Sequence, residues 1–405
     1  MVALTGYRAK EAWRVLRDDG PRRMAQRITR VAYQRLGASR LEFPLDIADI
    51  ADSHGLNLAV PVQRPPRGTP LTVGWICTPP GPGSGGHTTL FRMVEGVEAA
   101  GHTCVLYLYD QFHGELARHE KVIRKHWPQV RAEVRSVASG LPPLDAYVAS
   151  GWQTAHVLAA RADIPTRRLY LVQDYEPFFY PRGTEYALAE DTYRFGFRCI
   201  AIGWMVASLL KDEFGVQAQV AEYGCDNSIY RLTNPLGRKG VVFYAKPGIA
   251  RRGFELGTLA LQEVHRRHPD QDIHIFGDTS GEVPFPAIKH GSLAPRLLSE
   301  LYNQCRAGIA MSFTNVSLVP AEMMACGMIP VIGNLRCTRA DLDSPHARWT
   351  DPTPNALADA VSSVVEEAEP SPADVAASIR TMSWESAQKV SSETIEEEVY
   401  GVRAE

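Results

Sequence analysis

The chain has 405 residues, of which 45% are hydrophobic and 22% are charged, so it is long enough to form two globular cores. Its formal net charge of −3 gives no overall indication of nucleic-acid binding. The charge is uneven, because residues 1–40 carry a net charge of +7 and residues 361–405 a net charge of −7. We therefore expect either attraction between the two ends or an anionic partner for the basic end.

The basic end is predicted to be helical. Apolar residues recur at helical spacing within residues 8–37, which indicates two amphipathic helices broken at Gly20-Pro21. Two interpretations stay open: helices that pack as a cap on the protein body, or a peripheral contact with anionic lipid headgroups. We assign residues 1–60 to a basic helical extension and the proline-rich residues 61–70 to a linker.

The cysteines and the apolar segments indicate the location of the chain. None of the seven cysteines belongs to a CxxC motif, and several lie in apolar runs, which predicts buried free thiols in a reducing compartment. No continuous apolar stretch resembles a signal peptide or is long enough to span a bilayer. We expect a cytoplasmic protein, peripheral on the inner face of the cell membrane if residues 8–37 bind lipid.

Strands and helices alternate from residue 72 onward, which favours parallel, doubly wound sheets. The first series has predicted strands at 73–77, 103–109, 133–137, 145–149, 168–172 and 197–201, with helices at 87–100, 115–126, 152–161 and 203–214. The second series has strands at 241–245, 272–276, 307–311 and 329–332, with helices at 252–267, 295–304 and 318–326.

These two series define the predicted domains. We assign residues 71–235 to an N-terminal Rossmann-like domain and residues 236–370 to a C-terminal one. Residues 371–405 contain two candidate helices, at 371–379 and 384–399, and we expect this acidic segment to cross back over the first domain.

A loop rich in glycine and proline, residues 78–86, follows the first predicted strand. Ligands bind at this edge of open parallel sheets, where glycines let the backbone approach closely and a helix start favours negative charge. The loop matches neither GxGxxG nor the phosphate-binding loop that ends in Lys-Ser/Thr. A simple connection is therefore the alternative to a ligand site at Gly85, Gly86 and His87.

Three cations surround the first strand-to-helix turn of the second series: Lys246, Arg251 and Arg252. Guanidinium and ammonium groups both suit a diphosphate, and their position suits neutralisation of a leaving group. Ordinary surface charge is the alternative.

The segment 311–331 joins a polar loop to an apolar helix. Glu322 lies in the first turns of that helix among Met and Ala residues, where an acid needs a partner because burying it alone is costly. A ligand hydroxyl or a nearby arginine would serve.

Asp174 and Glu176 follow the predicted strand 168–172. Two carboxylates at the carboxyl end of a strand suit acid–base work or contact with substrate hydroxyls, and a cap on the next segment is the alternative. The twelve histidines form no HExxH motif, and no Asp-x-Asp ends a strand, so we expect no metal site.

These motifs resemble those of retaining GT-B glycosyltransferases of the large family 4 class. That class carries Gly-Arg-Leu…Lys-Gly at the first turn of its second domain and, later, Glu-x7-Glu-Ala-Met-Ala-Cys-Gly-x-Pro-Val. Lys246 matches the arginine, Arg252-Gly253 the Lys-Gly, and Glu322 the second glutamate, whereas Thr314 replaces the first. Since that first glutamate contacts donor-sugar hydroxyls in the class, Thr314 argues against glucose-type donors. The resemblance implies a GT-B fold, with two Rossmann-like domains facing a central cleft and, here, a helical N-terminal extension.

The span 70–335 resembles bacterial rhamnosyltransferases of the WsaF type more closely, through Val172–Pro177 and Thr314–Gly327. This resemblance implies transfer of L-rhamnose from dTDP-L-rhamnose, with UDP-sugars as the alternative donors, to a bacterial polysaccharide. It also implies a retaining, metal-independent reaction with no cofactor besides the donor, and a saccharide or lipid-linked saccharide as acceptor.

A mechanism follows as a hypothesis. Lys246 and Arg252, with Arg251, hold the diphosphate and stabilise it as it leaves. Glu322 binds hydroxyls of the ribose or the donor sugar. Asp174 and Glu176 face the acceptor.

The other donor contacts are expected from loops that follow strands. Gly85, Gly86 and His87 cover the site from the first domain. His290, Ser292 and Leu293 frame the base through backbone hydrogen bonds. The residues expected to reach the donor sugar and phosphate are Thr314, Asn315, Val316, Ser317 and Leu318.

Two other functions stay open. A GT-B-fold sugar-nucleotide 2-epimerase would need a further set of carboxylates and histidines, which we do not identify. A non-catalytic nucleotide-sugar-binding subunit of a polysaccharide assembly complex is favoured by the loss of the first glutamate.

Overall fold

The computed structural model describes residue 29 and residues 43–366 and 370–401. Residues 1–50 and residues 51–405 form two compact units. In the first unit, the described residues include a 3-10 turn, Ile47–Asp49, capped by the side chain of Asp46. The two helices predicted for residues 8–37 lie outside the described residues, apart from Thr29.

The second unit contains two parallel sheets, and the first has seven strands in the order β3-β2-β1-β4-β5-β6-β7. The strands are β1 (Thr72–Cys77), β2 (Thr103–Leu108), β3 (Glu133–Ser136), β4 (Ala146–Ala149), β5 (Arg167–Val172), β6 (Arg198–Ile202) and β7 (Gln219–Ala221). The central strands β1, β4 and β5 are buried along almost their whole length, as expected of a parallel sheet covered on both faces.

The second sheet has six strands in the order β10-β9-β8-β11-β12-β13. They are β8 (Val241–Ala245), β9 (Ile273–Gly277), β10 (Ile288–Gly291), β11 (Ala307–Ile309), β12 (Ile329–Gly333) and β13 (Arg348–Thr350). The strand order reverses between β8 and β11, as it does between β1 and β4 in the first sheet. Ligands of doubly wound sheets bind outside the carboxyl ends of strands at such reversals.

Helices connect the strands of both sheets. In the described part of the chain they are α1 (Gly85–Ala99), α2 (Leu116–His126), α3 (Trp152–Ala159), α4 (Thr184–Asp191), α5 (Trp204–Phe214), α6 (Phe254–Arg267), α7 (Pro295–Gln304), α8 (Val319–Ala325), α9 (Arg336–Arg339), α10 (Pro354–Glu366), α11 (Pro372–Ser378) and α12 (Trp384–Tyr400). Of these helices, none has the length and apolar character that crossing a membrane would need. The predicted doubly wound α/β architecture is confirmed.

The last helix, α12, packs against the first sheet rather than the second. Its residues Trp384, Ala387 and Ile395 share one hydrophobic core with β1 and β2. The approach to α1 is close, since a Cβ atom built on Gly96 would lie 2.5 Å from Gln388 Cβ. The chain thus returns to its first domain after completing the second.

Residues 51–60, which the sequence analysis groups with the N-terminal extension, contact the first sheet domain. The Ala51 amide donates a hydrogen bond to His156 Nδ1 at 3.1 Å, and Arg168 donates to the Ala59 carbonyl at 2.7 Å. This stretch contains neither a helix nor a strand.

Candidate active site

The candidate site lies where the carboxyl edges of the two sheets meet. The loop after β5, residues 173–179, contacts the loop after β11, residues 310–318. Thr314 Oγ1 donates a hydrogen bond to Asp174 Oδ2 at 2.7 Å, which joins the two domains directly. This is the edge at which doubly wound sheets bind ligands.

Asn315 makes a second contact between the domains. Its Nδ2 atom donates hydrogen bonds to the Gln173 carbonyl at 3.1 Å and to the Tyr223 hydroxyl at 2.9 Å. The sequence analysis expects the side chains of Thr314 and Asn315 to reach a donor. In the structure both are buried and bind the first domain instead, because a buried polar group needs a hydrogen-bond partner and that domain provides one.

Two arginines follow β8 in the 3-10 turn Ala250–Arg252. Arg252 Nη1 donates to Ser312 Oγ at 3.1 Å, and the Arg251 guanidinium carbon lies 3.9 Å from the centroid of the Phe179 ring. Arg251 Nε is buried and has no hydrogen-bond partner among the residues that the structure describes. Burial lowers the pKa of Arg251, and the charge of Arg252 lowers it further. Such a concentration of positive charge, with a donor still unpaired, suits an anion.

The charge of Arg251 influences the pKa values of two carboxylates of the first domain, Asp174 and Glu176. Asp174 is 5% exposed and Glu176 is 7% exposed. Burial raises the pKa of Asp174, whereas the Thr314 hydroxyl, Arg252 and Arg251 lower it. Glu176 accepts hydrogen bonds from the Trp152 amide and the Tyr170 hydroxyl, so it closes the start of α3.

The structure shows the protein partners of Asp174 and Glu176. The sequence predicts that both face an acceptor, but their carboxylates are buried and bound to protein groups. Glu176 caps α3, an earlier helix and not the next segment that the alternative interpretation names, since the Trp152 amide to which it is bound begins α3.

Replacing Glu176 with glutamine is expected to flatten the pH dependence of the unfolding free energy. Burial raises the pKa of Glu176 from 4.5 to about 7, so between these values the folded protein binds more protons than the unfolded chain. The resulting stability is fully present below pH 4.5 and is lost as the pH rises through 7, by at most about 3 kcal/mol. Denaturant titrations at pH 5 and pH 8 measure this difference.

The control for this experiment is Glu213→Gln, which changes an exposed glutamate on α5. It should keep the parent's pH dependence, whereas Glu176→Gln should reduce it. An equal pH dependence in the parent and in Glu176→Gln would contradict the burial argument.

Tyr244 interacts with the remaining charged residues of the candidate site. Lys246 follows β8 directly, and its Nζ atom lies 5.7 Å from the centroid of the Tyr244 ring. Glu322, on α8, has its pKa raised to about 7 by burial, which the Tyr230 hydroxyl partly offsets. The charges of Arg252 and Glu322 both act on the Tyr244 hydroxyl. Lys246 therefore lies beside the Tyr244 ring, whereas Arg252 and Glu322 act on its hydroxyl through their charges.

The glycine-rich loop of the first domain lies at the same edge. The side chain of His87 is held within this loop, with Nδ1 2.8 Å from Ser84 Oγ and Nε2 2.9 Å from the Thr78 carbonyl oxygen. A neutral imidazole that donates from Nε2 satisfies both contacts, and burial lowers the pKa of His87. A Cβ atom on Gly86 would lie 3.6 Å from Gln173 Oε1, whereas a Cβ atom on Gly85 would meet nothing within 4 Å.

The loop that begins with His290 approaches the glycine-rich loop from the second domain. A Cβ atom on Gly83 would lie 3.7 Å from Ser292 Oγ. The His290 ring stacks on His274, with Nε2 and Nδ1 3.0 Å apart, and Leu293 packs on the core of the second domain. These contacts place Ser292 beside the glycine-rich loop of the first domain.

Val316, Ser317 and Leu318 lie between the two hydrophobic cores. Val316 belongs to the core of the second domain, and Leu318 packs against the core of the first. Ser317 has a φ of 63°, a left-handed conformation that is uncommon outside glycine. Packing thus occupies the apolar side chains and leaves the backbone amides to contact a ligand.

Sequence reasoning missed several residues of the cleft: Phe179, Gln173, Tyr223, Tyr244 and Ser312. Four of them lie within or beside the motifs described above, and this position in the sequence is the signal that could have identified them. Tyr223 was harder to recognise from the sequence, because its contact with Asn315 joins residues 92 positions apart.

The structure also shows which metal ligands the cleft offers. Within residues 43–366 and 370–401, no three His, Cys, Asp or Glu side chains are grouped in a way that could hold a metal ion. All seven cysteines are free, and six of them are buried.

Two family models match the chain. The model described as the WsaF N-terminal domain matches residues 137–203, within the first sheet domain, and the WsaF C-terminal domain matches residues 239–362, within the second. Both segments of this chain are therefore similar to the WsaF family. The WsaF-type match therefore covers both sides of the cleft.

A curated relative is named for its role in polysaccharide synthesis. The chain is 32% identical over 246 residues to the O-antigen biosynthesis protein RfbC of Myxococcus xanthus. The match covers 55% of this chain and 18% of RfbC, so the chain spans less than a fifth of that relative's length.

Solved structures identify the fold of this protein as GT-B. A mutant of TarM from S. aureus, crystallised with Fondaparinux, alpha-GlcNAc-glycerol and UDP, has a TM-score of 0.61 at 7% identity, and the match covers 80% of this chain and 99% of TarM. HepE of Anabaena, crystallised with UDP and glucose, has a TM-score of 0.57 at 16% identity, and the match covers 80% of this chain and 95% of HepE. At such low identity these likenesses show the fold, which is that of GT-B glycosyltransferases.

Proposed function

We propose that the chain transfers a sugar from a nucleoside diphosphate to a saccharide of a bacterial polysaccharide, with dTDP-L-rhamnose as the donor. The observation that carries this proposal is the Arg251–Arg252 pair at the carboxyl edge between the domains, with Arg251 Nε buried and unpaired among the described residues. A diphosphate supplies the acceptors that these guanidinium groups lack. The WsaF match and the O-antigen role of RfbC support a polysaccharide product.

In the proposed reaction, the bond from the anomeric carbon to the diphosphate breaks and a bond to an acceptor hydroxyl forms. The proton of that hydroxyl leaves with the nucleoside diphosphate. Lys246, Arg251 and Arg252 stabilise the negative charge that develops on the departing phosphate. Because these groups are fixed by Phe179, Ser312 and the turn after β8, little reorganisation accompanies the reaction.

Glu322 is proposed to bind hydroxyls of the ribose or the donor sugar. Its charge acts on Tyr244, as the charge of Arg252 does, which supports this role, and a bound hydroxyl would add a second partner to the Tyr230 hydroxyl that this half-buried acid already has. The backbone of His290, Ser292 and Leu293 frames the base, and the amides of Val316, Ser317 and Leu318 reach the sugar and phosphate. Gly85, Gly86 and His87 close the site from the first domain.

We propose that the reaction is retaining and uses cationic side chains in the place of a metal. A purified chain should transfer the sugar equally well with and without excess EDTA. Restoration of a lost activity by Mg²⁺ after chelation would overturn the metal-free mechanism. Product NMR reads the anomeric configuration, and inversion would overturn retention.

The choice of donor is tested by a thermal-shift panel of dTDP- and UDP-sugars. A ligand that binds only the folded state raises the melting temperature, so dTDP-L-rhamnose should give the largest shift. A larger shift with UDP-glucose would reassign the donor. If the donor alone were isomerised without any acceptor, the protein would be a 2-epimerase instead.

The basic residues 8–37 are proposed to hold the protein at anionic membranes, near lipid-linked acceptors, on the cytoplasmic face. Binding should require anionic lipid and should weaken as salt screens the charges. Co-sedimentation with anionic and with neutral vesicles measures this, and equal pelleting with both would exclude an electrostatic contact.

A further inference from the structure

The burial of Asp174 and Glu176 leaves the acceptor without its expected contacts. Exposed groups at the same edge are the alternative, and three aromatic rings of the first domain are exposed there. Trp204 is 53% exposed and Phe178 is 42% exposed, after the neighbouring strands β6 and β5, whereas Phe112 follows β2, three strands away from β5. Trp204 begins α5 directly after β6, and Phe178 lies in the turn after β5. Since β5 and β6 are neighbouring parallel strands, both rings lie at one carboxyl edge.

Trp204 is held in place although its ring is exposed. Its indole Nε1 donates to Glu222 Oε1 at 2.9 Å, and its backbone amide donates to Asp341 Oδ1 of the second domain. Gly203 has a φ of 89°, and a Cβ atom there would lie 2.6 Å from Asp341 Oδ1, so this approach requires glycine. A ring fixed before binding loses little entropy when it is covered by a ligand.

The Phe178 ring is also held by packing, and the next residue in the chain contacts the arginine pair. Its ring packs edge-on against Tyr175, with centroids 4.7 Å apart. The next residue, Phe179, lies under the guanidinium of Arg251. The exposed aromatic edge therefore adjoins the cations that are proposed to hold the donor diphosphate.

We propose that Trp204 and Phe178, with the carboxylate of Glu222, bind a sugar ring of the acceptor; this inference rests on the proposed function. The C–H face of a pyranose packs on an aromatic ring, and Glu222, which is exposed, accepts hydrogen bonds from sugar hydroxyls. The acids Glu222 and Asp341 beside Trp204 disfavour an anionic lipid headgroup by like-charge repulsion, so the charge around the ring favours a neutral saccharide.

The test measures acceptor binding and donor binding separately on the full chain. The acceptor probe is p-nitrophenyl α-L-rhamnoside, and the donor probe is dTDP. Trp204→Ala and Phe178→Ala should each raise the KM for the rhamnoside about tenfold with little change in kcat, and Trp204→Phe should keep most of the affinity. Neither change should alter the dTDP-induced thermal shift. Phe112→Ala, at an exposed ring on the loop after β2, is the control and should match the parent.

Two outcomes would overturn the inference. A parent-like KM in Trp204→Ala would remove the stacking role, and an equal loss of dTDP binding would show a structural effect on the whole cleft. A loss of binding to neutral lipid vesicles, with unchanged saccharide kinetics, would reassign the ring to a membrane and also overturn it. Saturation-transfer NMR with the rhamnoside in the absence of donor separates this inference from the proposed reaction: Trp204-dependent binding without any transfer would defeat only the reaction.

Discussion

Replacing Lys246 with alanine is expected to lower turnover by about 10²-fold or more. Lys246 follows β8, beside Tyr244, and we propose that its charge stabilises the phosphate as negative charge develops. Removal of one such fixed group typically costs on the order of 10²–10³ in kcat. The measurement is kcat at saturating dTDP-L-rhamnose and acceptor, because the expected loss is in the transition state rather than in donor binding.

Lys211→Ala is the matched control, since it removes an exposed lysine from α5, in the first domain. It should turn over like the parent. Lys246→Arg should turn over faster than Lys246→Ala but more slowly than the parent. The positive charge remains, whereas the geometry of the hydrogen-bonding group changes. Near-parent turnover of Lys246→Ala would remove the role of this residue at the diphosphate.

Arg251→Met is expected to affect both stability and turnover. The variant leaves the buried carboxylates of Asp174 and Glu176 without one of the positive charges that favour their ionised forms, so we expect a lower free energy of unfolding at a pH where both are ionised. It also removes one of the groups proposed to stabilise the diphosphate. Denaturant titration at pH 8 and steady-state kinetics measure the two effects.

A second substitution separates these two effects. In Arg251→Met/Asp174→Asn, one of the unpaired charges is gone, so the unfolding free energy should recover while turnover stays low. Recovery of both the unfolding free energy and the turnover would mean that Arg251 stabilises the fold and has no direct role in the reaction. Arg296→Met, at an exposed site on α7, is the control and should change neither.

Much of the fold is predictable because buried parallel strands are short apolar runs. The interiors of β1, β5 and β8 read as such runs, and glycine or polar loops separate them from helices. The three-residue strands β7 and β13 escape prediction because, unlike the buried strand β11 of the same length, each contains a polar residue and is only partly buried. The predicted strand 307–311 ends at Ile309, because the following residues turn towards the first domain.

The candidate site is predictable in part for a different reason. Lys246 and Asp174 each follow a strand at the edge where ligands bind, and that information is local. The hydrogen bond between Thr314 and Asp174 joins residues 140 positions apart and depends on how the two domains meet. No local pattern contains that geometry, so the burial of Asp174 and Glu176 emerged only from the structure.

The central claim is that the cations after β8 bind a nucleoside diphosphate, and a crystal structure of the full chain with dTDP tests it most directly. The account predicts that the two phosphates lie within hydrogen-bond distance of Lys246 and Arg252, with Glu322 turned toward the ribose. Phosphates bound elsewhere, with these side chains directed away from them, would contradict it.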